Sequence, residues 1–289
     1  MLAFGVWVFD RFIIVPAAAA QWRSIAKWLL AMSLPLAALS GAWWFAELAV
    51  GMSGHALDMN IVTLVWKGTH FGQLWQLRLI LFFPAVVSAL LSRWTIFRWI
   101  ALIASGFLLG SLAWAGHGRT DRWTAAHLLA DTVHLLTASC WPIGLLPFAL
   151  MLLRLKPSPS TTPSSGTPGE GRGGGDLTTL SQLTARFSAM SLIAVSLLTA
   201  TGFVNAWVLL GTVSNLWQTA YGRVLLVKIS VYCVMVGFGA VNLLYLKPRL
   251  ASGQRRAARL LGFNVSAEII LAMVVIALVA LLGLLPPAV

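Results

Sequence analysis

Residues 262–284, GFNVSAEIILAMVVIALVALLGL, decide what kind of protein this sequence makes. The stretch is strongly apolar and contains one charged residue, Glu268. An apolar run of about 18 residues or more can cross a bilayer as a helix. A helix at the surface of a water-soluble protein needs a polar face, and this segment has almost none. The stretch therefore predicts a transmembrane helix.

Similar apolar runs recur along the 289-residue chain, in which 59% of the residues are hydrophobic and 10% are charged. We predict an all-α polytopic membrane protein with about eight transmembrane helices. The predicted spans are residues 1–18, 25–50, 72–92, 96–115, 124–154, 184–210, 223–246 and 262–284. Pro35, Pro84 and Pro142 are expected to kink their helices, which packed membrane bundles tolerate.

The segment 155–178 differs in composition from the rest of the chain. It is rich in Pro, Gly, Ser and Thr and cannot bury a core, so we predict a flexible linker. Residues 1–154 would hold the first repeat together with span five, and residues 179–289 the remaining spans. Both parts are expected to belong to a single integral-membrane domain.

The net charge of +12 comes from basic residues that lie mainly in short loops and at helix ends. Such residues set membrane orientation rather than form a nucleic-acid surface, so no nucleic-acid partner is expected. One side of the bundle carries 14 of the 20 Lys and Arg residues and is therefore predicted to be cytoplasmic. These are Arg11, Arg23, Lys27, Arg93, Arg98, Arg154, Lys156, Arg172, Arg186, Lys247, Arg249, Arg255, Arg256 and Arg259. The linker 155–178 would then be cytoplasmic and both termini outside.

An internal repeat is visible around one short motif. Thr69-His70-Phe71-Gly72, followed by Arg78, matches Thr219-Ala220-Tyr221-Gly222, followed at the same offset by Lys228. Spans one to four thus correspond to spans five to eight, with the same orientation. Parallel repeats of this kind are related by an axis along the membrane normal and tend to place binding sites at their interface.

The segment GHGRTDRWTAAHLLADTVH, residues 116–134, concentrates ionisable groups between two apolar runs. On a helix, His127, Asp131 and His134 fall within an arc of about 60°, and Trp141 lies on the same stripe. An Asp in a membrane helix costs about 2.5–3.5 kcal/mol on insertion scales, so it should face protein, water or an ion.

Two interpretations of this stripe are open. A buried His–Asp hydrogen-bond pair would orient two helices, whereas a metal site would use imidazole ligands with the carboxylate as a ligand or its partner. In the second case His117, ten residues before His127 in the sequence, would complete the site.

A second candidate metal cluster lies in the predicted outer loop after span two. Met52, His55 and Met59 are spaced i, i+3, i+7, and His70 precedes span three. Thioethers and imidazoles suit Cu(I) better than hard cations, so Cu(I) is the favoured ion. The alternative is that these methionines are ordinary interfacial side chains.

Other sequence features narrow the class of protein. The chain contains no Gly-rich phosphate loop and no HExxH, GxSxG or CxxC motif, so we predict that it is not an enzyme. Asn205 and Asn242 lie at membrane depth, where asparagines commonly bridge helices by hydrogen bonds.

The chain resembles the CopD family of copper-resistance inner-membrane proteins. The resemblance rests on His117, His127 and His134 with the following Trp141-Pro142-Ile143-Gly144-Leu145-Leu146-Pro147. Further matching positions are Arg186-Phe187-Ser188, Gly202, Asn205-Ala206, Thr219, Tyr221-Gly222, Lys228, Asn242, Pro248-Arg249 and Glu268. Pro142-Ile143 stands where the family usually has a small Gly-containing pair.

The resemblance implies an inner-membrane copper permease that takes copper from a periplasmic partner of the CopC type toward the cytoplasm. His117, His127, His134 and Asp131 would then be the first ligands, and Met52, His55, His70 and Met59 a capture site. Two alternatives are a b-type haem electron-transfer protein, which also uses transmembrane histidines, and a copper assembly or sensing protein that does not transport.

Overall fold

A computed structural model describes residues 1–54, 58–115, 124–155, 172–286 and 288. All regular elements of these residues are helices, as the sequence predicts. The long apolar runs cannot leave backbone groups unpaired in lipid, and a helix satisfies those groups within the segment itself. His55 and His117 lie outside the described residues, as do residues 156–171 of the predicted linker.

The first half contains α1 (Leu2–Val8, continued by a π-helical turn Phe9–Ile13), α2 (Ala19–Ser53), α3 (Met59–Gly68), α4 (His70–Leu90) and α5 (Thr95–Gly110). The second half contains α6 (Thr124–Cys140), α7 (Leu145–Arg154), α8 (Arg172–Leu210), α9 (Asn215–Gln218) and α10 (Ala220–Val241). A π-helical turn (Asn242–Leu246), α11 (Lys247–Ala251) and α12 (Arg255–Leu284) complete it.

Within the part of the chain that the structure describes, six helical stretches are long and apolar enough to cross a membrane: Pro16–Ser53, His70–Leu90, Ala125–Arg154, Leu177–Leu210, Ala220–Ala251 and Arg255–Leu284. The other two predicted spans are helical but shorter, at Leu2–Ile13 and Thr95–Gly110. The 16 residues of α5 rise about 24 Å, less than the hydrocarbon thickness of about 30 Å. The count of eight transmembrane helices therefore remains a prediction.

The structure moves one predicted boundary. α8 begins at Arg172, inside the range 155–178 predicted as a linker. Leu180 and Leu183 are buried, and Leu177 packs against the same core. These apolar residues extend the helix toward its N-terminus, ahead of residue 184, where span six was predicted to begin.

The three prolines differ in their effect. Pro35 and Pro84 lie inside continuous helices, whereas Pro142 lies in a break between α6 and α7. At this break a Cβ on Gly144 would lie 2.0 Å from the carbonyl oxygen of Cys140. Pro142 has no amide hydrogen to continue the helix and Gly144 allows the close approach, so the chain turns immediately after Trp141.

The main core is built where α1, α2, α6, α7, α8 and α12 meet. Phe148 and Phe187 stack with ring centroids 4.4 Å apart, and Phe9 packs on Trp22 at 4.8 Å. Asp10 ties this core to α5, because its carboxylate accepts a hydrogen bond from Trp22 Nε1 (2.7 Å) and lies 3.5 Å from Arg98 Nη1. Many large apolar side chains outside the core are exposed, as expected of a surface that faces lipid.

The repeated motif has the same local structure in both halves. Thr69 Oγ1 accepts a hydrogen bond from the Gly72 amide (3.0 Å), and Thr219 Oγ1 accepts one from the Gly222 amide (2.9 Å). Each threonine caps the helix that follows it. The contacts between helices also correspond in the two halves. α1 packs on α2 as α6 packs on α8, α4 packs on α5 as α10 packs on α12, and α1 packs on α5 as α7 packs on α12. Symmetry between two whole four-helix repeats remains a prediction.

The capped motif gives a test of local packing. A Cβ on Gly222 would lie 2.1 Å from the Asn215 carbonyl oxygen, so Gly222→Ala should destabilise the protein by about 1–3 kcal/mol. Gly237→Ala on the same helix is the matched control. A Cβ there meets no atom within 4 Å, and alanine should be neutral or stabilising by up to about 1 kcal/mol. Thermal unfolding in detergent compares them, and equal stability of the two variants would contradict this account.

Candidate metal-binding site

The polar stripe predicted on span five lies on α6, which packs along α8. His127, in the first turn of α6, is only 3% exposed, whereas the Asp131 side chain retains 32% exposure. His134 is half-buried, about 10 Å further along the helix axis. The three side chains therefore form a row along α6 that begins in its first turn.

His127 has an unusual environment for a buried imidazole. Its Nε2 lies 3.8 Å from Asp131 Oδ2, too far for a hydrogen bond. Among the described residues, neither His127 Nδ1 nor His127 Nε2 has a hydrogen-bond partner. A buried polar atom without a partner costs about 1–3 kcal/mol. A metal ion is a natural partner for a neutral imidazole nitrogen, so this residue fits a ligand role.

Asp131 is held in place from the neighbouring helix. Asn205 on α8 donates a hydrogen bond from Nδ2 to Asp131 Oδ1 at 2.5 Å, which leaves Asp131 Oδ2 directed toward His127. The prediction that Asn205 bridges helices is confirmed. The Asn205 Oδ1 atom is buried and no described residue donates to it, so a further acceptor lies beside the carboxylate.

The contacts of His134 fix which of its nitrogens can bind an ion. The Thr201 hydroxyl donates its one proton to the Leu197 carbonyl at 2.6 Å. With the hydroxyl proton assigned to that carbonyl, His134 Nδ1, 2.9 Å from the same oxygen, is the donor in that pair. His134 Nε2 is left as the nitrogen with a free lone pair, and the threonine holds the ring in this tautomer.

A positive charge adjoins the row from α10. The Lys228 ammonium is half-buried and close enough to interact electrostatically with Asp131 and with His134. Tyr221, at the start of α10, also interacts with the Asp131 carboxylate. Sequence reasoning placed Lys228 in the repeated motif but not in the site. The sequence does contain an indication of this role, because a lysine within an apolar span needs a partner.

The predicted capture residues that the structure describes lie on α2, α3 and α4 rather than on α6. Met52 and Met59 are 54% and 78% exposed, and His70 is exposed at the first residue of α4. Among the described residues, no three His, Cys, Asp or Glu side chains converge closely enough to hold one metal ion. The physical reason on α6 is the rise of the helix, which keeps His127 and His134 about two turns apart.

Comparison with protein families gives two matches. Residues 181–282 match the family model described as copper resistance protein D, and residues 1–127 match that described as copper resistance protein D-like, N-terminal domain. The N-terminal and C-terminal parts of the chain therefore both match copper resistance protein D models.

Individual relatives agree with these matches. Copper resistance protein D of Pseudomonas syringae pv. tomato is 28% identical, over 76% of this chain and 69% of the relative. Copper transport protein CutJ of Bacillus subtilis is 25% identical over 80% of this chain, but the match spans only 39% of that relative. Inner membrane protein YebZ of Escherichia coli is 26% identical over 99% of this chain and 94% of the relative. No solved structure matches the chain.

Proposed function

Since the chain belongs to the copper resistance protein D family, we propose that it is a permease that moves copper from the outer face of the inner membrane toward the cytoplasm. The family descriptions point to copper resistance and transport rather than catalysis. The six long apolar helices and the inner-membrane relative support a multi-pass inner-membrane protein. The observation that carries the proposal is the buried His127, whose two nitrogens have no hydrogen-bond partner in the described part of the chain and lie beside a carboxylate on a membrane helix.

Copper would be collected on the outer face before it reaches α6. The capture ligands would be Met52, Met59 and His70, together with His55 outside the described residues. His117, also outside them, would join His127 and His134 as an entry ligand. The exposure of the two methionines and of His70 leaves them accessible to a periplasmic copper-binding partner of the CopC type. Thioether sulfur and imidazole nitrogen favour Cu(I).

Within the membrane the ion would pass along the row on α6. His127 would offer an imidazole nitrogen, and His134 would offer Nε2 about 10 Å deeper. Because an ion loses its water on this path, the negative charge of Asp131 between the two histidines would offset part of the desolvation cost. Asn205 would keep the carboxylate aimed along the row.

Orientation follows from the same scheme. The outer face is the end of α6 that carries His127, and the basic helix ends lie opposite. Both termini would then be outside and the segment around residues 156–171 cytoplasmic. Reporter fusions in that segment test the arrangement, and a fusion that reports from the periplasm would contradict it.

The direct test is copper uptake by purified protein in sealed liposomes. Vesicles that contain the protein should accumulate Cu(I) presented under reducing conditions faster than empty vesicles. Protein that binds copper without increasing uptake would instead be an assembly or sensing protein. A Soret absorption band in the purified protein would identify the haem alternative.

Replacement of Lys228 is expected to change copper affinity in the opposite direction to replacement of a ligand. Its ammonium repels a cation that approaches Asp131, so Lys228→Met should tighten copper binding by about tenfold. Arg223→Met, at an exposed position of the same helix, removes the same charge and should change affinity little because solvent screens it. Competitive titration with a Cu(I) chelator measures both, and weaker binding by Lys228→Met would contradict this role.

A further inference from the structure

A second group of polar side chains lies deeper in the membrane, around Glu268. This residue is near the middle of α12 and only 1% exposed. Asn242 donates from Nδ2 to Glu268 Oε1 at 2.5 Å, and the Trp141 side chain also hydrogen-bonds the carboxyl group. The prediction that Asn242 bridges helices is therefore confirmed, since it joins the end of α10 to α12.

The hydrogen bonds define where a proton on Glu268 can reside. Asn264 donates from Nδ2 to Asn242 Oδ1 at 2.9 Å, which fixes the Asn242 amide with its NH₂ group toward the carboxyl group. Glu268 Oε1 is therefore an acceptor. The other oxygen, Oε2, accepts no hydrogen bond from Asn242, and we place a bound proton there.

Glu268 has no counter-charge among the described residues. The ion pairs found there are those of Asp10 with Arg98 and of His127 with Asp131. An ionised carboxylate buried in a membrane protein without a cation is strongly unfavourable. The carboxyl group must therefore bind a proton or another cation for at least part of the time.

A cavity of about 140 Å³ adjoins this group, between α7, α8, α10 and α12. Its lining includes Trp141, Ser188, Ser191, Asn242 and Glu268. The Ser191 hydroxyl is buried and has no hydrogen-bond partner among the described residues. A cavity of this volume with polar groups on its wall has room for several water molecules, and water would satisfy the serine.

The cavity wall includes no Lys, Arg, His or Asp and no second Glu. The other titratable side chains near this group, on the helices that surround the cavity, do not line it. Tyr232 hydrogen-bonds Thr199 on α8, and Cys140 precedes Trp141 without lining the cavity. Asp131, His134 and Lys228 form the row nearer the outer end. Glu268 is thus the one ionisable group on the described wall of this cavity.

We propose that Glu268 is a proton-binding site that exchanges its proton through water in this cavity. Three observations carry the proposal: a buried carboxyl group without a counter-charge, a hydrogen-bond network that leaves one oxygen for the proton, and an adjoining cavity with an unpaired hydroxyl. The site goes beyond the copper permease function and does not require it. Trp141 directly follows the last residue of α6, seven residues after His134, so the two polar regions are neighbours along the chain.

Infrared spectroscopy of the purified full-length protein tests the site without copper. Wild type should show a carboxylic-acid C=O band that disappears reversibly as the pH is raised. Glu268→Gln should lack that band, because glutamine preserves the shape and accepts the same hydrogen bonds but cannot ionise. Glu47→Gln, at an exposed position of α2, is the matched control and should keep it.

Three results would overturn the proposal. The first is a spectrum in which Glu268→Gln removes no carboxylic-acid band at any pH. The second is a Glu268 band that stays unchanged from acidic to alkaline pH, which would mean that the proton does not exchange. The third is loss of the band on addition of Na⁺ at constant pH, which would identify a metal-cation site. None of these readouts depends on whether the protein transports copper.

Discussion

The His127→Ala/His134→Ala variant is expected to bind copper at least about 100-fold less tightly than wild type. Even residues that only support metal ligands cost 10–100-fold in affinity when they are changed, and this variant removes two ligand candidates. His127 contributes a buried imidazole that has no hydrogen-bond partner within the described ranges, and His134 contributes Nε2, since Thr201 contacts its Nδ1. Copper content and competitive Cu(I) titration of purified protein measure the loss.

The same helix offers a control for the shortening of the two histidine side chains to alanine. Leu129→Ala shortens a side chain that is 65% exposed and should leave copper affinity unchanged. Comparison of the two single variants shows whether His127 or His134 contributes more. Full copper binding by the double variant would remove α6 from the binding site, even if the protein still transports copper.

The Asp131→Asn variant is expected to fold and insert normally but to bind copper about 10–100-fold less tightly. Asparagine keeps the size of the side chain and can still accept the hydrogen bond from Asn205, so α6 and α8 should stay joined. What is lost is the negative charge that offsets the cation between the two histidines. The same titration measures the change, together with thermal stability in detergent.

Asp10→Asn provides the matched control for that variant. Asp10 accepts a hydrogen bond from Trp22 on α2 and lies 3.5 Å from Arg98 on α5, so its replacement should reduce stability without reducing copper affinity. If Asp131→Asn binds copper as tightly as wild type while the histidines remain essential, Asp131 only orients the helices. That outcome corresponds to the His–Asp pairing interpretation of the sequence.

The positions of the helices could be predicted because the signal is local. Apolar runs such as 262–284 must become helices in a bilayer, where no other structure satisfies the backbone of a single segment. The helix ends were less predictable. α8 extends to Arg172 because Leu177 and Leu180 pack against the core, and α6 stops at Cys140 because Pro142 and Gly144 follow.

The candidate site was predictable where it lies on one helix. The helical period alone places His127, Asp131 and His134 on one face. The presence of asparagines at membrane depth likewise indicated helix bridging, which the contacts of Asn205 and Asn242 confirm. The proposed capture residues lie on several segments, two of which include undescribed positions, so their convergence remains a prediction.

The sequence by itself determined the all-helical membrane class, the repeated threonine-capped motif and the polar stripe of α6, because each depends on residues close together in the chain. Only the tertiary structure decided that Thr201 contacts Nδ1 of His134 and that Lys228 adjoins Asp131. It also decided that Glu268, which has no counter-charge among the described residues, lies beside a cavity. These features join helices far apart in the sequence. Their chemistry depends on which faces pack together, and helical periodicity does not specify that.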